Sequence, residues 1–84
     1  MKLIIVSPQH KEQHMIEWLH AQTPEGSLVI KHGHAPLIAT LVEKSELSFL
    51  LKTGETIAVH LLRPGFLEVD RTSITALINQ VTMQ

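Results

Sequence analysis

The stretch 26–38, GSLVIKHGHAPLI, decides how this chain folds. A short apolar run leads into a Gly-His-Ala-Pro turn, and a second apolar run follows directly. Gly33 can take backbone angles that are closed to other residues. Pro36 fixes its own φ and favours an extended conformation at Ala35. The stretch therefore predicts a strand, a tight corner and a second strand that leaves in a new direction.

The rest of the sequence predicts short strands separated by turns. Turn signals recur about every 8–12 residues, a spacing typical of an all-β sandwich or barrel. A first strand, buried on both faces or nearly so, is expected at 3–6 and ends at Ser7-Pro8. Residues 79–84 are expected to be a short polar tail. Further strands are expected at 28–30, 37–42, 47–52, 56–62, 66–69 and 73–78.

Two structures fit the segment 15–21. Its Met, Glu, Leu and Ala residues are good helix formers, but the segment is short and closes at the turn signature 23–26. We therefore expect a strand, in which Ile16, Trp18 and His20 share one face. The polar residues 9–13 before it form either a turn or a weak edge strand.

Composition limits what the chain can do. Its 84 residues predict one domain over residues 1–84, without cysteine and so without disulfides or thiolate metal sites. A net charge of -1 and 4% aromatic residues argue against nucleic-acid binding, which needs a basic surface and stacking rings. No apolar run approaches the roughly 20 residues of a membrane helix. With no signal peptide, these features fit a cytoplasmic protein.

The histidines raise the question of a metal site. His32 and His34 are two residues apart, but no third histidine stands at a recognisable ligand spacing, so we expect no metal. The chain also lacks a nucleophile elbow and a glycine-rich phosphate loop. We therefore expect neither a cofactor nor enzyme activity. The six histidines are His10, His14, His20, His32, His34 and His60.

Four segments, in order, resemble the N-terminal β-sandwich domain of the epsilon subunit of F-type (rotary) ATP synthases. The family signature Gly/Asn-His-Ala-Pro-Leu is matched by GHAPL at 33–37, and the segment 23–30 resembles the sequence that leads into it. LIIVSP at 3–8 resembles the opening strand of the family. GFLEV at 65–69 and SITAL at 73–77 resemble its two late strands.

The resemblance implies a flattened β-sandwich of two roughly five-stranded sheets. It also implies a non-catalytic central-stalk (rotor) subunit that binds gamma and the c ring and couples proton or sodium flow to ATP synthesis. Such a subunit lies peripherally on the cytoplasmic face of the bacterial inner membrane, attached only through the complex. The family's C-terminal helical hairpin has no counterpart in these 84 residues. We therefore expect a short form and do not carry over the hairpin's inhibition of ATP hydrolysis or its nucleotide binding.

By resemblance, four residues are expected to contact the c ring: Glu25, Ser27, His32 and His34. Ser27 stands where the family often has an acidic residue, and Glu25 is two residues away. His32 replaces the family's proline. The imidazole of His34 can hydrogen-bond polar loops of the ring or pin its own turn by bonding a nearby carbonyl.

Trp18, the only tryptophan, is a candidate contact for gamma. Its strand could be exposed at an edge, and aromatic side chains are favoured anchors at interfaces, although such residues are more often part of a core. A different class of function also fits, a stand-alone β-sandwich protein-binding module unrelated to ATP synthase, because a fold does not fix a function. A third hypothesis, a histidine-metal enzyme, requires a bound metal.

Overall fold

The computed structural model describes residues 1–79 and the backbone of residues 81–83. This part of the chain contains no helix, and hence none that is long and apolar enough to cross a membrane. The strands are β1 (Lys2–Ser7), β2 (His10–Thr23), β3 (Gly26–Lys31), β4 (Leu37–Leu41), β5 (Glu46–Leu51), β6 (Thr56–Leu61), β7 (Gly65–Val69), β8 (Ser73–Leu77) and β9 (Val81–Met83).

Strand β2 is 14 residues long and belongs to both layers of the fold. Its first half pairs with β1, and its second half pairs with β3 on one side and β5 on the other. The register with β5 shifts between Ile16 and Trp18. Such a β-bulge bends a strand and increases its local twist, so β2 can pass from one layer to the other.

Two five-stranded layers share β2. Sheet A has the order β4-β7-β8-β1-β2, and sheet B has the order β3-β2-β5-β6-β9. The pairing of β1 with β8 is parallel, and the other strand pairs of the described residues are antiparallel. This architecture confirms the predicted all-β sandwich of two roughly five-stranded sheets.

The core consists of apolar side chains that alternate along the strands. In β8, for example, Ile74 and Ala76 are buried while Leu77 is exposed. Burying an aliphatic or phenyl side chain of this kind contributes about 1.5–3 kcal/mol. Among the described residues no polar or charged residue is buried. The buried hydrophobic residues are Leu3, Ile5, Ile16, Leu19, Ala21, Ile30, Leu41, Leu47, Phe49, Val59, Leu61, Leu67, Val69, Ile74, Ala76 and Ile78.

The segment 15–21 is a strand, as predicted, but its faces differ from the prediction. Ile16 is fully buried with Leu19, whereas Trp18 and His20 line a depression on the outer face of sheet B. The bulge explains the difference, because one extra residue moves all later side chains of a strand to the opposite face. The edge position considered for Trp18 is also wrong, since β2 lies between β3 and β5.

The predicted polar tail is wrong at residues 81–83, which form β9 and pair with β6. Backbone hydrogen bonds need no alternating side-chain pattern, so composition alone does not reveal a short strand of this kind. Residues 80 and 84, which belong to the same predicted tail, lie outside the described residues. For residues 9–13 the sequence allowed either a turn or a weak edge strand. Strand β2 begins at His10, so residues 10–13 are strand and only the residues before them form a turn.

The Gly-His-Ala-Pro corner lies where the chain passes from sheet B to sheet A. Strand β3 ends at Lys31 and β4 begins at Leu37 in the other sheet. The amide of His34 donates a hydrogen bond to the carbonyl of Lys31 at 3.1 Å. Gly33 has a φ of +83°, which side chains of L-residues rarely allow. The predicted corner and its change of direction are confirmed.

Candidate functional site

The corner fixes the ring of His34. Its Nδ1 lies 2.8 Å from the carbonyl oxygen of Ala35. A carbonyl oxygen only accepts hydrogen bonds, so Nδ1 carries the proton and donates it. In the neutral ring Nε2 is then left with a lone pair. This is the turn-pinning role that the sequence suggested for His34, and its contact with a c ring stays a prediction.

A depression of about 500 Å³ opens at the corner. Its walls come from the end of β3 and from the turn that follows, and they carry one apolar side chain and three that are basic. The lining residues are Val29, Lys31, His32, Gly33 and His34.

A second depression, of about 320 Å³, lies on the outer face of sheet B. It is lined by Trp18, His20, Val29, Lys31 and Ser48. Trp18 is paired with Lys31 across β2 and β3, and His20 with Val29. Because Val29 and Lys31 line both depressions, the two are adjacent, and we call them together the sheet B groove.

The four residues predicted to contact the c ring do not gather at one point. Glu25 and Ser27 lie at the start of β3, whereas His32 and His34 follow its end. At about 3.3 Å per strand residue, Glu25 and His32 are roughly 20 Å apart. All four nevertheless lie along or next to β3, which among the described residues pairs with β2 alone. The opposite edge of β3 carries no strand from the described residues.

Glu25 is held by its own turn. Its amide donates to Thr23 Oγ1 at 3.2 Å, and that hydroxyl in turn donates to the carbonyl oxygen of Gly26 at 2.9 Å. Thr23 Oγ1 also lies 3.5 Å from Glu25 Oε1. The turn therefore fixes the backbone of Glu25, while its exposed carboxylate needs no other partner.

An exposed apolar surface covers part of the outer face of sheet A. Phe66 is 55% exposed and pairs with Leu77, which is 46% exposed. Leu77 pairs in turn with the half-buried Val6, and Ile38 on β4 is 75% exposed. We call these four residues the sheet A apolar face.

Sequence reasoning missed the sheet A apolar face, although a signal was present. Along β7, burying Leu67 and Val69 leaves Phe66 on the outside. Along β8, burying Ile74 and Ala76 leaves Leu77 on the outside. An apolar residue in the polar phase of an alternating strand is the pattern that indicates a partner surface.

A histidine–carboxylate group lies at the start of β2. Glu12 Oε1 is 3.4 Å from His10 Nε2, and Glu12 Oε2 is 3.6 Å from His14 Nε2. The ring of His14 packs against Phe49 with 5.4 Å between centroids. Each imidazole approaches a different carboxylate oxygen, and the described residues contain no group of three or more donors arranged to hold a metal ion. The group is a local ion-pair network when its imidazoles are protonated.

The whole chain, residues 1–84, matches the family model described as the beta-sandwich domain of the ATP synthase delta/epsilon chain. The chain belongs to this family. Membership accounts for the order of the strand and corner motifs along the sequence, and it agrees with the two-sheet architecture.

Two curated relatives carry the name ATP synthase epsilon chain. The protein from Corynebacterium jeikeium (strain K411) is 39% identical over 62 residues, which cover 74% of this chain and 50% of the relative. The protein from Rhodococcus erythropolis (strain PR4 / NBRC 100887) is 40% identical over 65 residues, which cover 75% and 51% respectively. The chain thus spans about half the length of these delta/epsilon relatives.

Solved structures share the delta/epsilon sandwich. A chain of the Euglena gracilis mitochondrial ATP synthase (OSCP/F1/c-ring, rotational state 1) superposes with a TM-score of 0.87 at 15% identity, covering 96% of this chain and 51% of that one. A chain of the Tetrahymena thermophila mitochondrial ATP synthase central stalk and c-ring gives 0.81 at 16% identity, covering 98% and 65%. At these identities the likeness shows the fold alone.

Proposed function

We propose that this chain is a non-catalytic central-stalk (rotor) subunit of an F-type ATP synthase. The observation that carries the proposal is the match of all 84 residues to the delta/epsilon sandwich family. In this role the subunit couples proton or sodium flow through the c ring to ATP synthesis. It transmits force and does no bond chemistry, so it needs a stable body with partner surfaces and no catalytic centre.

The partners in this proposal are the gamma subunit and the c ring. Support comes from the two relatives named ATP synthase epsilon chain and from the shared fold of a chain in a central stalk and c-ring structure. The chain acts as one domain over residues 1–84. It is peripheral to the cytoplasmic face of the bacterial inner membrane and is held there only through the complex.

We place gamma on the sheet A apolar face. Phe66 and Leu77 are cross-strand partners, and Ile38 lies on the neighbouring β4 opposite Glu68. The three apolar side chains expose between 46% and 75% of their surface, and exposed apolar surface on a small domain marks a partner site. A phenyl ring at the middle of such a surface is a suitable anchor. Trp18, the residue first predicted for gamma, is half-buried on the other sheet. Trp18 stays the alternative contact for gamma, and mutagenesis can distinguish it from the sheet A apolar face.

We place the c ring along the free edge of β3. This is the one side of the sandwich where Glu25, Ser27, His32 and His34 all lie. An edge strand presents unpaired backbone donors and acceptors in addition to its side chains. A contact along the whole strand includes the residues at both ends of β3, whereas a contact confined to the corner leaves out Glu25 and Ser27.

The proposal is tested by mixing the purified chain with recombinant gamma from the same organism and separating the products by size-exclusion chromatography with light scattering. We expect a 1:1 complex, and we expect the chain alone to hydrolyse no ATP. Separate elution of the two proteins, with gamma shown to be folded by circular dichroism, contradicts the proposal. That result favours the stand-alone binding module.

A further inference from the structure

The sheet B groove has a one-sided charge. Its titratable side chains are His20 on β2, Lys31 on β3, and His32 and His34 in the turn. Strand β5 contributes only Ser48, and no carboxylate lines the groove. The chain as a whole has a net charge of -1. With histidine counted as neutral, as in that net charge, Lys31 is the one charged side chain of the groove, and because no carboxylate balances it, its electrostatic complement is a carboxylate.

Two of these side chains are placed to hold an anion. Lys31 is exposed, and its ammonium has three N–H donors. His34 has its Nδ1 proton engaged with the Ala35 carbonyl at 2.8 Å. Protonation therefore adds a donor at Nε2 of a ring whose orientation the turn already fixes.

The groove is also partly apolar. Trp18 lines one end, and Val29, which is 48% exposed, lies between the two depressions. Aromatic and aliphatic side chains give a small inorganic anion nothing to bind. They fit an apolar side chain of a peptide, and alternate residues of an extended peptide point to opposite sides. The combination suits a segment in which carboxylates and apolar side chains are mixed.

We propose that the sheet B groove binds an extended acidic segment of a partner protein. A carboxylate of that segment is held by Lys31 and His34, and an apolar side chain packs against Trp18 and Val29. This site lies on the other sheet from the sheet A apolar face, but it shares His32 and His34 with the edge of β3 that is proposed for the c ring, so the segment and the c ring compete for the corner. Its test does not depend on gamma or on the c ring.

The test is a titration of the ¹⁵N-labelled full chain with the peptide Ac-Leu-Glu-Leu-Glu-NH₂. Its matched control is Ac-Leu-Gln-Leu-Gln-NH₂. We expect amide shift changes in residues 18–20 and 29–34, and a Kd at least about tenfold lower for the glutamate peptide. Equal affinity for both peptides, or shift changes elsewhere on the surface, overturns the proposal.

Variants and other anions provide the second arm. Lys31→Glu and His34→Gln are expected to raise the Kd of the glutamate peptide at least about tenfold. His60→Gln changes an exposed histidine that does not line the groove and leaves the Kd unchanged. Inorganic phosphate that competes as well as the peptide overturns the proposal. So do phosphatidylglycerol vesicles that bind the groove when the peptide does not.

Discussion

The outer faces of the two sheets cover the same core but differ in chemistry. The sheet A face exposes Phe66, Leu77 and Ile38, whereas the sheet B face presents Lys31 and histidines around one half-buried tryptophan. An apolar face favours a permanent interface, and a basic groove favours a charged, exchangeable ligand. On the proposals above, this small sandwich has two partner surfaces of different character, one on each sheet.

The largest expected effect concerns the position where β2 passes between the faces. Ile16 is fully buried and the neighbouring Met15 is 50% exposed. Ile16→Ala should therefore lower the free energy of unfolding by about 2–5 kcal/mol, and Met15→Ala by less than about 1 kcal/mol. Urea unfolding followed by circular dichroism measures both. Similar losses in the two variants contradict the burial of Ile16 beside an exposed Met15.

The next effect separates the two faces as binding surfaces. Phe66→Glu combined with Leu77→Glu should weaken gamma binding by about 100-fold, since two anchor residues of about 1.4 kcal/mol each give a factor of ten apiece. Trp18→Glu should change it by less than about threefold. Isothermal titration calorimetry gives the two Kd values, and unfolding curves check that each variant is folded. The reverse ranking assigns gamma to sheet B and to Trp18.

Two glycines, Gly65 in sheet A and Gly33 in the corner, test the comparison of the two regions through the backbone. A Cβ on Gly65, at the start of β7, would lie 2.6 Å from the carbonyl oxygen of Leu77, so Gly65→Ala should cost about 1–3 kcal/mol and displace the strand that carries Phe66. A Cβ on Gly33 meets nothing within 4 Å. Gly33→Ala should therefore lower the stability only through the strain of its positive φ, by about 1 kcal/mol.

Thermal unfolding of the two glycine variants gives the ranking. Gamma affinity gives an independent result, because only Gly65→Ala should reduce it. A greater loss of stability in Gly33→Ala contradicts the close approach of β7 to β8.

The smallest expected effect lies on sheet B. His60 Nδ1 is 3.9 Å from Glu46 Oε2, and the two side chains are 47% and 54% exposed. Exposed pairs of this kind are worth about 0–1 kcal/mol, so His60→Gln should change stability by less than about 0.5 kcal/mol. The change should be measured at low and at high salt. A loss above about 1 kcal/mol means that this end of sheet B is more tightly packed than the exposures indicate.

Much of the fold could be predicted from the sequence because the strands are short and end in recognisable turns. The corner was predictable from Gly33 and Pro36, and the alternation of Ile57, Val59 and Leu61 on β6 matches their partial or complete burial. The bulge at Ile16 was not predictable, because a single inserted residue leaves no mark in composition and yet reverses the face of every later side chain in the strand. The strand β9 depends on pairing with β6, which is a long-range contact.

The two proposed partner surfaces also differ in how far the sequence could predict them. The sheet A apolar face could be deduced from strand alternation, since Phe66 and Leu77 fall in the outward phase of β7 and β8. The sheet B groove could not be, because Trp18, Lys31 and Ser48 come from three strands and no sequence spacing connects them. His34 was identified from the corner motif, and the structure adds the tautomer that its hydrogen bond to Ala35 sets.

The most direct test of the central claim is an affinity purification from the organism that encodes this chain. A tag is placed on the chain, native membranes are solubilised in a mild detergent, and the subunits retained are quantified by mass spectrometry. The account predicts that gamma and the c subunits are recovered with the chain, and that the Phe66→Glu, Leu77→Glu variant loses gamma. Recovery of the wild-type chain without either partner, from membranes whose ATP synthase is intact, contradicts the account.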